Sequence, residues 1–221
     1  MSDIALVIFD CDGVLVDSEP ISHAVLRELL AEHGARLTME QMYARFMGVT
    51  MEQVMTIVAQ LLHAPAPAGF EAELRDRTFR AFDTLEPVAG IPQVLDALRV
   101  PFCVASNGAH AKMQRSLGIT GLLPRFAGRI FSADDVPHAK PAPDLFLLAA
   151  RTLGAEARQC VVIDDSPLGM RAARAAGMLA LGFAAMMPAA RLREAGAHEV
   201  FDRMTALPAL LEHAARGDRP A

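Results

Sequence analysis

Ala5-Leu6-Val7-Ile8-Phe9 is apolar at every position and is followed at once by Asp10-Cys11-Asp12-Gly13. A short run without polar alternation, bounded by polar residues, reads as a strand buried on both faces. Such strands belong to the middle of parallel sheets whose faces are covered by helices. If the extended geometry persists past Phe9, Asp10 and Asp12 fall on one side of the chain and Cys11 on the other. Two carboxylates crowded at the carboxyl end of a parallel strand sit where open α/β sheets place their active sites. The pair costs stability unless a cation answers it.

The remainder of the chain divides into two textures. Ser18 is placed to cap a helix starting at Glu19-Pro20, in which Ile21, Val25 and Leu29 recur at helical spacing until Gly34. Helical patterns continue over Met39–Phe46, Met51–Leu62 and Phe70–Phe82, broken by the Pro-rich stretch from His63 to Gly69. No strand-like alternation interrupts them, so residues 17–85 form a helical insert. From Ile91 onward short apolar runs alternate with helices. The strands expected are Phe102–Ala105, Arg129–Ser132, Cys160–Ile163 and Leu179–Phe183. The helices expected are Ile91–Leu98, Ala109–Leu117 ended by Gly118, Pro143–Leu153 ended by Gly154, and Pro167–Ala176 ended by Gly177. A weak strand and a last helix lie between Glu199 and Leu211. The fold class is therefore α/β, a doubly wound parallel sheet built from residues 1–16 and 86–221 with the helical insert after its first strand.

Composition narrows the classes of function. A length of 221 residues suits one large domain or a domain with a modest insert. A net charge of −5 gives no basic footprint, so no nucleic-acid partner is expected. No stretch approaches about 18 uninterrupted apolar residues, and the first residues are not a basic leader with an apolar segment, so neither a membrane span nor a secretory signal is expected. Cys11, Cys103 and Cys160 each lie in or beside an apolar run and read as buried thiols, which fits a cytoplasmic protein. Lysine is the unusual count: only Lys112 and Lys140 occur, all other basic side chains being arginine or histidine.

Four strand ends carry polar groups: Asp10 and Asp12; Ser106-Asn107-Gly108; Lys140-Pro141; and Asp164-Asp165-Ser166. In a parallel sheet all carboxyl ends share one edge, so these groups converge without being neighbours in sequence. Each alone has an ordinary structural explanation, Ser106 as a helix cap and Asp164-Asp165 as an acidic helix start. Four in succession do not.

Asp10-x-Asp12-Gly13-Val14-Leu15-x-Asp17-Ser18 resembles the first signature of the haloacid dehalogenase superfamily of phosphohydrolases, in the branch that contains β-phosphoglucomutase and small-molecule phosphatases. The three later strand ends resemble the superfamily's remaining signatures in order. The resemblance implies a Rossmann-like core and a phosphoric monoester hydrolase. Asp10 would be the nucleophile that becomes an aspartyl phosphate, and Asp12 the acid/base group. Crowding by other carboxylates is expected to raise the pKa of Asp12. Mg²⁺ would be held by Asp10, the backbone of Asp12, and Asp164 or Asp165, with Lys140 as the phosphate's charge partner. Ser106, Asn107 and Gly108 would bind phosphoryl oxygens with neighbouring amides. A cation is required because each pair of like charges about 4 Å apart costs roughly 4 kcal/mol at an effective dielectric near 20.

The insert resembles the superfamily's cap, which excludes water and contacts the leaving group. His23, and Gly48 in the Met47-Gly48-Val49-Thr50 loop, are its candidate substrate contacts, with Lys112 on the site helix as a further contact for an anionic substrate. A sugar-phosphate mutase of the β-phosphoglucomutase type is the alternative. That enzyme carries a histidine and an arginine where this chain has Ser22 and Met51. A non-catalytic ligand-binding module would lack a site residue, and none is missing. Phosphonoacetaldehyde hydrolysis needs a cap lysine, and residues 17–85 contain none. Arg45-Phe46-Met47-Gly48-Val49 and the run from Cys103 to Gln114 resemble bacterial sugar-acid phosphatases, 6-phosphogluconate phosphatases among them. The expected partner is thus a small phosphomonoester such as a sugar phosphate or sugar-acid phosphate, and the chain is expected to act as a monomer or weak homodimer.

Overall fold

The computed structural model of the chain describes residues 4–47, 49 and 51–216. In order, its elements are β1 (Leu6–Phe9), α1 (Glu19–Glu32), α2 (Met39–Phe46), α3 (Met51–Leu62), α4 (Phe70–Ala81), α5 (Ile91–Ala97), β2 (Phe102–Ser106) and α6 (His110–Ile119). These are followed by β3 (Ile130–Ser132), α7 (Asp144–Thr152), β4 (Cys160–Asp164), α8 (Pro167–Ala175), β5 (Leu179–Phe183), α9 (Ala189–Glu194), β6 (Glu199–Phe201) and α10 (Leu207–Ala215). The chain separates into two compact units, Met1–Asp17 with Glu86–Ala221, and Ser18–Leu85.

The first unit is built on a six-stranded sheet in the order β3-β2-β1-β4-β5-β6, every neighbouring pair parallel. The expected α/β architecture is therefore present. β1 is central and every one of its residues is fully buried, as its unbroken apolar run requires. The chain winds outward from β1 in one direction through β2 and β3, and in the other through β4, β5 and β6. The order thus reverses beside β1, where ligands bind in open α/β sheets. α7 packs against β1, β2 and β3, while α8 packs against β4 and β5.

Register explains how distant residues meet. Phe9 is level with Val104 of β2 and with Ile163 of β4. Asp10 and Asp164 each follow that level by one residue, and the ladder continues through the Asp10 amide donating to the Ile163 carbonyl at 2.9 Å. Ser106 closes β2 level with Ser132 of β3. Beyond Asp10 the extended geometry stops. Gly13 takes a left-handed φ of 72°, and its amide donates to the Val16 carbonyl at 2.9 Å, folding Val14, Leu15 and Val16 back into the core.

The second unit, Ser18–Leu85, contains α1 to α4 and no strand among its described residues. Leu26, Leu29, Leu30, Met42, Phe46, Val54, Val58, Phe70 and Leu74 form a core of its own. α2 opens with a capping box in which the Gln41 amide donates to Thr38 and the Thr38 amide to the Gln41 side chain.

Two local expectations are corrected. Ser18 stands at the N-cap of α1 with helical dihedrals, and its side chain makes no capping hydrogen bond. Helices with Pro in the first turn have one orphan amide fewer to satisfy there. Gly118 does not end α6. The helix continues to Ile119 and the left-handed residue that closes it is Gly121, with the Leu122 amide returning to the Leu117 carbonyl at 2.8 Å. Gly154 and Gly177 do end their helices in the left-handed region. No described helix is long and apolar enough to cross a membrane.

Candidate active site

Lys140 is the hub. Its Nζ donates to Asp10 Oδ1 at 2.7 Å and to Asp164 Oδ2 at 2.8 Å, bridging the tips of β1 and β4 from the segment after β3. The Phe146 ring of α7 lies 4.8 Å from that ammonium and closes it off from water. Asn107 holds the same lysine by its backbone: its Nδ2 donates to the Lys140 carbonyl at 3.1 Å and its Oδ1 accepts the Lys140 amide at 3.0 Å. Asn107 is expected among the substrate-binding residues. Both ends of its side chain are committed to Lys140, which makes that side chain a positioning group for the lysine.

Asp164, fully buried, takes Lys140 on one oxygen and the Ser166 amide and hydroxyl on the other, at 2.9 and 2.7 Å. The Ser166 hydroxyl also accepts the Gly169 amide at 3.0 Å as the N-cap of α8, so one serine ties the helix start to the carboxylate. An ideal Cβ on Gly169 would lie 1.9 Å from Asp164 Cγ, so the carboxylate occupies the space a side chain would fill. Gly13 has the same relation to Asp165, with 2.1 Å from its ideal Cβ to Oδ2. Asp10, Asp164 and Asp165 each offer one oxygen, all within 4.8 Å of one another, a hard donor set able to hold a cation.

Ser106, buried at the end of β2, accepts the Gly108 amide at 3.3 Å, and the Gly108 carbonyl accepts the Ser132 hydroxyl at 2.8 Å. Ser132 thereby pins the loop that carries Ser106. Asp12 is answered by the chain's other lysine, Lys112 of α6, whose Nζ donates to Asp12 Oδ2 at 2.7 Å. Lys112 was expected to meet an anionic substrate; the structure sets it on Asp12.

Burial raises the Asp10 carboxyl to about 6, with the neighbouring Asp164 and Asp12 charges pushing the same way against Lys140. Burial alone would lower the Lys140 ammonium, but Asp10 and Asp164 override it and hold the lysine charged well above its ordinary range. Lys112 is likewise raised by Asp12 despite its partial burial.

The structure brings Asp10, Ser106, Asn107, Lys140, Asp164 and Asp165 together, with Asp12, Gly108 and Lys112 beside them. His23 is a buried member of the insert. Its Nδ1 donates to the Glu19 carbonyl at 2.8 Å and its ring lies 5.0 Å from Tyr43. Gly48 lies outside the described residues. The sequence places Ser166 at a polar strand end without showing its tie to Asp164, and it gives no signal for Ser132, Phe146 or Gly169.

This arrangement defines a class of hydrolase. The haloacid dehalogenase-like hydrolase family matches residues 4–177, and the chain belongs to that family. It is 38% identical over 188 residues to the 6-phosphogluconate phosphatase of Escherichia coli strain K12, covering 84% of this chain and 85% of that one. A fructose-1-phosphate phosphatase of the same organism is 33% identical over 175 residues, covering 78% and 92%. A crystal structure of a conserved haloacid dehalogenase-like protein of unknown function from Agrobacterium tumefaciens superposes with a TM-score of 0.89 at 36% identity, covering 96% of this chain and 99% of that one.

Proposed function

We propose that the chain is a Mg²⁺-dependent phosphatase of small phosphorylated metabolites, a sugar phosphate or sugar-acid phosphate such as 6-phosphogluconate, acting through an aspartyl phosphate. The observation that carries this reading is the Asp10 carboxylate, held by Lys140 at the point where the sheet reverses, with Asp164 and Asp165 beside it. The two sugar-phosphate phosphatases among the relatives support the substrate class. The three buried free thiols support a cytoplasmic setting.

Asp164 already accepts three donors, including Lys140, so it serves as the lysine's anchor. Asp165 lies against Gly13, next to the Asp12 carbonyl, so we assign Asp10, Asp165 and that carbonyl to the ion. Bound there, Mg²⁺ would supply the positive charge that lets a phosphate dianion approach a carboxylate. Asp10 attacks phosphorus, the P–O ester bond breaks, and Asp12 gives its proton to the departing alkoxide. Asp12 then takes a proton from water, which displaces phosphate from Asp10 and restores both carboxyls. Lys140 and Ser106 hold phosphoryl oxygens throughout, so catalysis is mainly positioning and charge neutralisation. We assign the insert, Ser18–Leu85, to the cap role that the family resemblance implies.

The test is a panel of phosphorylated metabolites with Mg²⁺, including 6-phosphogluconate, hexose phosphates, 2-phosphoglycolate and nucleotides. Phosphate release that stops with chelator and in Asp10→Asn is the expected result. Turnover in Asp10→Asn, with deamidation excluded by mass, would refute the nucleophile assignment. Conversion of β-glucose 1-phosphate to glucose 6-phosphate without phosphate release would establish the mutase instead.

A further inference from the structure

One face of α6 grips the turn that carries the two reacting carboxylates. Lys112 and Ser116 are four residues apart on that helix and so project from the same side. Lys112 reaches Asp12 at 2.7 Å, and the fully buried Ser116 hydroxyl lies 3.8 Å from the Sγ of Cys11, the residue between Asp10 and Asp12. Met113 and Leu117, fully buried beside them, seat the helix in the core. Gly108 packs alongside this pair: an ideal Cβ there would stand 3.8 Å from Lys112 Cδ and 3.7 Å from Asp12 Oδ2, ordinary contact distances.

Asp12 needs such a grip. Asp10 is held at the strand end by the sheet ladder and by Lys140, whereas Asp12 sits past the end of β1, partly exposed, on a loop. A displacement of about 1 Å at a reacting group can cost on the order of 100-fold in rate. Lysine suits the task because its compact ammonium makes a point contact with one oxygen, where an arginine fork would engage both.

We propose that Lys112 is the positioning residue for Asp12, holding the acid/base carboxylate where it can reach the leaving oxygen, rather than a contact for substrate. The inference rests on the phosphatase reading and on Asp12 as its acid/base group.

The test compares two esters in rapid-quench single turnovers. An alkyl phosphate needs its leaving oxygen protonated; p-nitrophenyl phosphate does not. Lys112→Met keeps the aliphatic stem and removes the charge. It is expected to slow transfer from the alkyl ester by roughly 100-fold, the scale of general acid catalysis. The burst of p-nitrophenolate should stay at the wild-type rate, with slow turnover afterwards because water attack also needs Asp12. Lys112→Arg restores the charge and is expected to recover part of the alkyl rate. Equal losses on both esters would overturn the proposal, as would no recovery by arginine, or a raised KM for anionic substrates with kcat unchanged. A wild-type protein that takes phosphoryl from neither ester would instead sink the phosphatase reading, and this proposal with it.

Discussion

The chain has two lysines, and each answers one of two carboxylates only two residues apart, yet the two pairs are physically different. The Lys140 side chain is 3% exposed and its partners Asp10 and Asp164 are 12% and 0% exposed, whereas the Lys112 and Asp12 side chains are 36% and 21% exposed. In the buried pair, three charges depend on one another because water cannot replace a missing partner. In the half-exposed pair, water screens much of the attraction, so the contact chiefly decides where a carboxylate points. The same pairing thus holds the site together in one place and orients a reacting group in the other.

The contrast is broken most directly at Lys140. Lys140→Met leaves Asp164 and Asp10 without their cation, and denaturant unfolding in chelator should show a loss of about 3–5 kcal/mol. Turnover should fall at least ~1,000-fold, the value of one unscreened like-charge contact at the phosphate. Mg²⁺ should return part of the stability, and Lys112→Met should lose far less of it. Equal stability losses in the two variants would erase the distinction.

Gly169→Ala comes next. In an ordinary helix this change stabilises by about 0.5–1 kcal/mol. Here the new methyl meets the Asp164 carboxylate, which cannot swing aside without leaving Lys140 and Ser166. A net loss of about 1–3 kcal/mol is expected, together with a fall in activity of at least ~10-fold. A stabilised and fully active variant would show the carboxylate to be free to move.

The pH dependence sharpens the buried side of the comparison. Asp10 keeps its proton up to about 6 in the folded protein, against an ordinary value of 3.8. Between those values the folded state binds more protons than the unfolded one, so its contribution to stability is present below pH 3.8 and is lost as pH rises to about 6. In chelator, the difference between wild type and Asp10→Asn should shift across that window by about 3 kcal/mol, read from urea midpoints at successive pH values. A flat difference would mean that Asp10 is solvated. Divalent ions should bind more weakly as pH falls through the same window, because proton and metal compete for one carboxylate.

The smallest effect is expected where the carboxylates themselves are most open to water, at 52% and 46% exposure for Glu32 and Glu73. In the insert, Arg77 makes a bidentate contact with Glu32 at 2.5 and 2.8 Å and another with Glu73, all on the surface. Arg77→Ala should move the melting temperature only slightly, and salt should abolish the difference. A large, salt-insensitive loss would show that exposure is the wrong guide to these pairs.

Much of this was readable before any coordinates. The unbroken apolar run from Ala5 to Phe9 required burial on both faces. The alternation after Ile91 required parallel strands, and parallel strands place their ends on one edge. The groups at those ends therefore had to meet, and Asp10, Ser106, Lys140 and Asp164 do. Less was readable where the partner is remote in sequence. Nothing beside Asn107 in the sequence shows that its side-chain amide holds Lys140, 33 residues away. Local pattern alone makes Gly118 a helix end, yet α6 runs through it to Ile119 and the left-handed residue is Gly121. Glycine stops a helix only where the next contacts favour a left-handed residue, which neighbouring sequence does not state.

Periodicity, strand order and the succession of polar strand ends are written in the chain, because they follow from which residues must leave water and from the handedness of parallel connections. Which cation answers which carboxylate, and which glycine makes room for it, was decided only by the fold. Those contacts depend on strand register and on distances of a few tenths of an ångström between residues a hundred or more positions apart, as for Lys112 with Asp12 and Lys140 with Asp10.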